Sequence, residues 1–190
     1  MHIGLFFGSF NPIHTGHLII ANHILNTTAL KRIWFVVSPQ NPLKSDDELL
    51  NENYRLNLVR IATSADDRIK VSNIEFKLSK PSYTINTLSY LKEKYPNHEF
   101  SIIMGSDSFQ TLDKWKSFEE IIVNYKIFIY RRPGFDMEIK MKGKMEILRA
   151  PLIGISSTEI RELIRNGKSI RYLVPQKVRR EIENNNYYKK

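Results

Sequence analysis

The sequence contains no cysteine, and its first 30 residues contain no lysine, arginine, aspartate or glutamate. Without cysteine the protein forms no disulfide, thiolate metal site or cysteine nucleophile, which argues against secretion. Glycine and proline are scarce, at eight each in 190 residues, which excludes collagen-like and low-complexity chains. Apolar residues make up 42% of the chain, which is enough for a sizeable core in one domain.

Long hydrophobic runs are absent from the sequence as well. No stretch reaches the ~18 apolar residues that a membrane-spanning helix requires. A secretory signal needs a basic start and a continuous apolar run, but polar residues and Pro12 interrupt the apolar residues after position 8. We therefore predict a cytoplasmic protein with no membrane partner.

The net charge of +9 is unevenly distributed along the chain. Residues 161–190 carry a net +6, whereas residues 1–160 carry only +3. This excess raises the alternative of a basic nucleic-acid-binding protein. No zinc module, aromatic-basic RNA motif or heptad-bearing basic region supports it, and Glu181 and Glu183 interrupt the basic face of the last helix. We therefore expect no nucleic-acid partner.

Short apolar runs rich in β-branched and aromatic residues alternate with segments of helical period. Such runs are typical of parallel strands buried on both faces, and the alternation implies βαβ units. We predict a three-layer α/β domain with a mainly parallel central sheet, helices on both faces and a small helical portion from about 156 to 186, all within a single domain over 1–190. The predicted strands are 2–7, 32–38, 69–74, 99–104, 126–130 and 145–149, and the predicted helices are 15–29, 53–65, 83–95, 114–124, 156–166 and 175–185.

The first strand–helix junction carries the motif G-S-F-N-P-I-H-T-G-H over residues 8–17. Ligands of parallel sheets bind beyond the carboxyl ends of the strands, so this junction is a candidate site. It is neither a Walker A loop nor a dinucleotide-binding glycine motif. His14 and His17 lie three residues apart at the start of an uncharged helix, whose N-terminus offers free N–H groups to an anion. A metal site is the alternative, but H-x-x-H lacks the third ligand and the glutamate of the zinc signature.

A second motif, I-S-S-T-E-I-R, covers residues 155–161. Ser156 and Glu159 form an S-x-x-E capping box, which by itself only begins a helix. The segment also supplies hydroxyls, free amides and the Arg161 guanidinium, which all suit polyphosphate oxygens. We expect the two helix N-termini to hold a triphosphate from both sides of one cleft.

These two motifs resemble those of the nucleotidyltransferase superfamily, whose members join a nucleotide to a phosphate and release pyrophosphate. The order of motifs along the whole chain is similar to that of the bacterial nicotinate-nucleotide adenylyltransferases, and it includes S-Y-T at 82–84, G-S-D at 105–107, Trp115 and R-P-G at 132–134. The resemblance implies a Rossmann-like (adenine nucleotide alpha hydrolase-like) fold. It also implies that ATP and nicotinate mononucleotide are the substrates and deamido-NAD is the product. Because the first two motifs identify only the superfamily, a phosphopantetheine or nicotinamide mononucleotide adenylyltransferase is the alternative.

The resemblance also implies roles for individual residues. Mg²⁺ would be bound mainly by ATP, because the chain offers no dedicated carboxylate cluster. Phe7 stands where many members have glycine, and the sequence leaves open whether the chain forms a homo-oligomer. The composition of residues 184–190 predicts a frayed end.

The implied catalytic residues are His14, His17, Lys44 and Arg161; the implied ATP-binding residues are Gly8, Ser9, Phe10, His14, His17, Gly105, Asp107, Ile155, Ser156, Ser157 and Arg161; and the implied nicotinate mononucleotide-binding residues are Asn11, Lys44, Tyr83, Thr84, Trp115 and Arg132.

Overall fold

Six parallel strands form the centre of the molecule in the computed structural model, which describes residues 1–40, 48–135 and 142–189. The strands are β1 His2–Gly8, β2 Arg32–Val37, β3 Ile69–Ser72, β4 Glu99–Gly105, β5 Lys126–Tyr130 and β6 Met145–Leu148. Their order across the sheet is β3-β2-β1-β4-β5-β6, so the direction of winding reverses between β1 and β4. Phe6 in β1 lies level with Phe35 in β2 and with Ile103 in β4.

Helices connect the strands and cover both faces of the sheet. Their bounds are α1 Thr15–Thr27, α2 Glu52–Thr63, α3 Thr84–Lys94, α4 Ser106–Phe109, α5 Phe118–Asn124, α6 Ser157–Arg165 and α7 Gln176–Asn184. Two short 3₁₀ turns, Ile74–Lys77 and Leu112–Lys114, follow β3 and α4. In the described part of the chain, none of the helices has the length and apolar character needed to cross a membrane.

Alternate residues of each strand pack into two separate hydrophobic cores, because successive side chains of a strand point to opposite faces. Phe6 and Phe35 belong to the first core, together with side chains of α1, α2, α6 and α7. Leu5 and Trp34 belong to the second core, with side chains of α3, α4 and α5. The sheet is therefore buried on both faces, and the predicted three-layer α/β fold is confirmed.

Three local predictions differ from the structure. The helix predicted over 114–124 begins only at Phe118, because Trp115 is extended and Ser117 has the left-handed φ of +54°. The strand predicted over 69–74 ends at Ser72. The prediction of a frayed C-terminal end is wrong for the residues described, which extend to 189. The Tyr187 ring stacks on the Tyr54 ring, with centroids 5.1 Å apart. Aromatic packing against the first core thus secures a segment whose polar composition suggested disorder.

Candidate active site

A cavity of about 570 Å³ opens at the carboxyl ends of β1 and β4, where the strand order reverses. Open parallel sheets bind their ligands at this position. The segments that line it come from the turn after β1, the start of α3, the α4 region and the start of α6. The residues of the predicted site that lie in its wall are Gly8, Ser9, Phe10, Asn11, His14, His17, Tyr83, Thr84, Gly105, Asp107, Trp115, Arg132, Ser156, Ser157 and Arg161.

The turn after β1 folds back beneath the cavity. Phe10 has a positive φ of 45° and is buried, with its ring edge-to-face on His17 at 5.1 Å. A Cβ atom on Gly8 would lie 2.9 Å from this ring, so a side chain at position 8 would force the turn to move. Gly8 therefore allows Phe10 to pack against the histidine that follows it.

His14 and His17 form one stacked pair at the N-terminus of α1. Their ring centroids are 3.7 Å apart, and the interplanar angle is 28°. The backbone N–H of His14 donates to Nδ1 of His17 over 3.3 Å. This contact requires a lone pair on Nδ1, so neutral His17 carries its proton on Nε2 and is a donor there.

His14 is held in its neutral form. Burial, and secondarily the positive charge of Arg132, lower the pKa of His14 to about 3. Its Nδ1 is buried and has no hydrogen-bond partner among the described residues. At neutral pH His14 therefore adds no positive charge to the N-terminus of α1.

The N-terminus of α6 faces that of α1 across the cavity. Ser156 Oγ accepts a hydrogen bond from the Glu159 N–H over 3.1 Å, which completes the predicted helix cap. Ser157 Oγ donates to the carbonyl of Pro12 over 2.9 Å and so ties α6 to the turn after β1. The two motifs, far apart in the sequence, thus form one cleft. We call this the histidine side of the cavity, made of His14, His17, Ser156, Ser157 and Arg161.

Arg161 is the cation of the histidine side. Its Nη1 donates to the carbonyl of Asn11 over 2.9 Å, and its Nη2 lies 2.8 Å from Oε2 of Glu48. The second oxygen of Glu48 pairs with Arg165 over 2.6 Å. These two arginines hold the pKa of the Glu48 carboxyl below its usual range. One exposed carboxylate therefore balances two arginines at the histidine side of the cavity.

The Asn11 side chain is engaged by the backbone. Its amide donates to the carbonyl of Glu48 over 2.9 Å, and its Oδ1 accepts from the N–H of Leu50 over 3.1 Å. Both ends of the amide thus fix the segment at 48–50 against the turn after β1. Asn11 therefore lines the cavity, but both polar atoms of its side chain already bond to the backbone.

An ion pair lies across the end of β4. Asp107 Oδ2 is 2.8 Å from Nη1 of Arg132, and the Arg132 N–H donates to Oγ of Ser106 over 2.9 Å. A Cβ atom on Gly105 would collide with Oδ1 of Asp107. Glycine at position 105 therefore leaves room for the pair to close over the strand.

The opposite end of the cavity contains the predicted aromatic residues. Tyr83 is the N-cap of α3 and Thr84 begins that helix, so the first N–H groups of α3 have no partner within the helix. Trp115 is half-buried against the second core. Nζ of Lys116 lies 5.0 Å from the centre of the Tyr83 ring. We call Tyr83, Thr84, Trp115 and Lys116 the tryptophan side.

Comparisons with known proteins agree with this geometry. A model of the family described as Cytidylyltransferase-like matches residues 5–163. A Flavobacterium johnsoniae protein with the name "Probable nicotinate-nucleotide adenylyltransferase" is 51% identical, with all of both chains covered. A Bacteroides thetaiotaomicron protein of the same name is 43% identical over 92% of this chain and 87% of its own. The chain belongs to the nicotinate-nucleotide adenylyltransferase family.

A solved structure shares the fold of this family member. The Plasmodium falciparum nicotinic acid mononucleotide adenylyltransferase, in complex with NaAD, superimposes with a TM-score of 0.86 at 24% identity. The match covers 98% of this chain and 97% of that one. The predicted Rossmann-like fold is therefore confirmed over essentially the full length.

Two residues of the predicted site are not in the cavity wall as described. Lys44 lies outside the described residues, so its contacts with phosphates stay a prediction. Ile155 lies outside the wall and is half-buried against the first core, where it supports the start of α6. Phe7 lines the cavity and packs against the second core.

A buried arginine supports the turn after β1. The pair Tyr54-Arg55 belongs to the motifs that resemble the family, but no role at the site was predicted for it. Arg55 is fully buried, and its guanidinium donates to the carbonyls of Ser9, Ser38, Pro39 and Leu50 at 2.6 to 2.9 Å. It thus joins the turns after β1 and β2. Its spacing from the leucine and valine at positions 58 and 59 places it on the apolar face of α2, a signal that could have identified it.

Two residues of the cavity wall, Tyr130 and Glu75, are absent from the site residues predicted from the sequence. Tyr130 is the last residue of β5 and lines the cavity. Burial raises the pKa of its phenol, and the negative charge of Asp107 raises it further, so the phenol stays protonated. Glu75 is buried in the 3₁₀ turn after β3. Glu75 stands between two apolar residues, at 74 and 76, and this pattern could have identified it as a buried acid.

Proposed function

We propose that this chain transfers the adenylyl group of ATP to nicotinate mononucleotide, which gives nicotinate adenine dinucleotide and pyrophosphate in NAD biosynthesis. The observation that carries the proposal is the single cavity in which the histidine side and the tryptophan side meet. The full-length curated relatives carry the name of the same activity. The packing of α6 and α7 into the first core supports one domain over 1–190.

The proposed reaction is an in-line displacement at phosphorus. An oxygen of the nicotinate mononucleotide phosphate forms a bond to the α-phosphorus of ATP. The bond from that phosphorus to the oxygen bridging to the β-phosphate breaks, and pyrophosphate leaves with the electron pair. Both reactants are anions, so the protein has to position them and neutralise charge, with no covalent intermediate.

The histidine side suits the α-phosphate of the transferred adenylyl group. Nδ1 of His17 accepts the backbone N–H of His14, so the neutral ring carries its proton on Nε2. We assign this donor to the α-phosphate, where charge accumulates in the transition state. His14, the α1 amides and the backbone of Gly8, Ser9 and Phe10 would contact the remaining ATP oxygens.

The second helix N-terminus suits the leaving group. Arg161, with Ser156 and Ser157 at the start of α6, would hold the β- and γ-phosphates, and Lys44 would join them. Because Glu48 pairs with Arg161 in the structure, the triphosphate would replace this carboxylate as the partner of the guanidinium. Asp107 and Gly105 would contact the adenosine.

The tryptophan side suits the pyridine nucleotide. Trp115 offers a flat surface for the ring, and the free N–H groups at the start of α3, with the Thr84 hydroxyl, would bind the carboxylate. Tyr83 would form the adjoining wall. Arg132 would attract the nucleotide's phosphate, while Asn11 would act by holding the loop behind it.

A divalent metal ion would reach the site together with ATP. The acidic wall residues Glu48, Glu75 and Asp107 are each engaged by neighbouring side chains, and no group of three or more potential metal ligands occurs in the described ranges. This donor set fits an ion carried by the triphosphate, for which we propose Mg²⁺. The ion would neutralise charge on the phosphates.

A pyrophosphate-release assay with a panel of acceptors tests the proposed function. We expect turnover of ATP and Mg²⁺ with nicotinate mononucleotide, and less with nicotinamide mononucleotide or phosphopantetheine. Preference for another acceptor would assign the chain to that reaction. Binding of DNA or RNA without pyrophosphate release would reject the enzyme altogether.

A further inference from the structure

Glu75 is an acidic wall residue to which the proposed chemistry gives no role. It lies in the 3₁₀ turn Ile74–Lys77 and is only 2% exposed. Burial of a carboxyl group costs free energy unless hydrogen bonds replace the lost water. The position therefore requires compensating contacts, and these lie beneath the tryptophan side.

Three hydroxyl groups surround the Glu75 carboxyl. Ser82 Oγ lies 2.8 Å from Oε2, and Thr87 Oγ1 lies 2.9 Å from Oε1. The hydroxyl of Ser38, just after β2, also hydrogen-bonds to this carboxyl. One buried side chain thus connects the end of β2 with two points of the segment that forms α3.

The hydrogen-bond chain continues beyond Ser82. Its Oγ also lies 3.3 Å from the carbonyl of Gln40, and a hydroxyl has one proton to donate. When that proton goes to Gln40, Oε2 of Glu75 must carry a proton to bond with Ser82. Burial, which raises the pKa of Glu75, favours this neutral form.

The two carboxyl oxygens hold the start of α3 from beneath. Ser82 directly precedes Tyr83 and Thr84, and Thr87 lies in the next turn of the same helix. No side chain caps this helix end, so its orientation depends on contacts outside its first turn. Glu75 supplies two of those contacts and itself borders the cavity.

We propose that Glu75 is a positioning residue for the pyridine nucleotide: it fixes the start of α3 and thereby places Tyr83 and Thr84 for binding. The inference rests on the proposed function. It predicts a larger effect on one substrate than on the other, because Glu75 bonds directly to Ser82 and Thr87 at the start of α3. Its link toward the histidine side is indirect, through Ser38 and Arg55.

Steady-state kinetics of Glu75→Ala and Glu75→Gln test the inference. Glu75→Ala should raise KM for nicotinate mononucleotide about 10-fold, as expected when a buried hydrogen-bonding group is lost, and change KM for ATP less than about 3-fold. Glu75→Gln should restore KM, because its amide keeps the size of the carboxyl group and an oxygen that accepts from Thr87. Calorimetric titration with nicotinate mononucleotide alone should show the same loss of affinity.

Milder variants keep the test valid where Glu75→Ala fails to fold. Ser82→Ala and Thr87→Val each remove one hydroxyl and should raise KM for nicotinate mononucleotide about 3-fold, the size of one hydrogen bond. Thr63→Val is the matched control, because the Thr63 hydroxyl is buried and donates to the Val59 carbonyl outside the cavity wall. This control should leave the ratio of the two KM values unchanged.

Equal increases in both KM values, or an unchanged KM for nicotinate mononucleotide in Glu75→Ala, would overturn the role of Glu75. A shift of that ratio in the control as large as in Ser82→Ala would do the same. If the wild-type protein itself fails to turn over nicotinate mononucleotide, the proposed function fails, and the role of Glu75 fails with it.

Discussion

The histidine side and the tryptophan side of the cavity are built in different ways. On the histidine side, helices α1 and α6 meet, and side chains cross directly between segments distant in sequence, as Ser157 does to Pro12. On the tryptophan side, a single helix start faces the ligand, and the buried Glu75 holds it from behind. Contacts between distant segments thus hold the first side, whereas one buried carboxyl group holds the second.

The two sides also differ in how they would use electrostatics. The histidine side combines the neutral ring of His14 with one guanidinium that a carboxylate already balances. The tryptophan side places Lys116 over the Tyr83 ring, and the start of α3 and Trp115 lie in the same cavity wall. We therefore expect changes on the histidine side to affect the rate of transfer, and changes on the tryptophan side to affect binding of one substrate.

The largest expected effect is that of His17→Ala. Loss of the Nε2–H donor should lower kcat by about 100-fold or more, as for other transition-state hydrogen bonds. Thermal denaturation should show a folded variant, because His17 lies at an open cavity wall. Rapid-quench measurement of the chemical step checks the prediction, and near-normal turnover would remove His17 from the reaction.

Trp115→Ala should produce the opposite pattern. Loss of the stacking surface should raise KM for nicotinate mononucleotide about 10-fold, with KM for ATP nearly unchanged. Trp115→Tyr keeps an aromatic face and serves as the conservative control. If both KM values rise together in Trp115→Ala, this ring supports the fold and the comparison between the two sides breaks.

The buried His14 should make stability depend on pH. Its folded pKa of about 3 lies below the value of 6.5 for a free histidine, so the unfolded chain binds the proton more tightly. Stability from this group is complete above about pH 6.5 and falls as pH drops toward 3, by about 1 kcal/mol per pH unit.

Urea denaturation between pH 4 and 7 checks this dependence. The slope of unfolding free energy against pH should be smaller in His14→Asn than in the wild type. His23→Asn removes a histidine from the same helix outside the cavity wall and is the control. An unchanged slope in His14→Asn would show that His14 is not held neutral.

Glu48→Gln should have the smallest effect and sharpen the account of the histidine side. In the proposed function the triphosphate replaces this carboxylate as the partner of Arg161, so its loss should lower KM for ATP about 2-fold, in keeping with the small energies of exposed ion pairs. Glu183→Gln breaks the pair with Arg179 on α7 and is the matched control. A rise in KM for ATP would mean that Glu48 organises the arginines for binding.

The sequence predicts the fold and the two motifs well because these depend on local patterns. Apolar runs define the strands, and the capping signal at Ser156 begins α6 at the expected position. The helix predicted from 114 starts late because backbone geometry at Ser117, which periodicity does not report, interrupts it.

The contacts that organise the site are harder to predict because they join distant segments. Asn11 was expected to contact substrate, yet its amide is engaged with the backbone at 48–50. The sequence assigns no site role to Arg55 or Glu75, whose contacts form only when the turns after β1 and β2 close around them. Contacts between segments distant in sequence decide which polar side chains face the cavity and which support its wall from behind.

The fate of the α-phosphorus tests the central claim most directly. ATP labelled with ³²P at the α-position is incubated with the protein, Mg²⁺ and nicotinate mononucleotide, and the products are separated. The account predicts that the label passes into nicotinate adenine dinucleotide while unlabelled pyrophosphate is released. Label that remains in ATP, or that appears as AMP by hydrolysis, would contradict it.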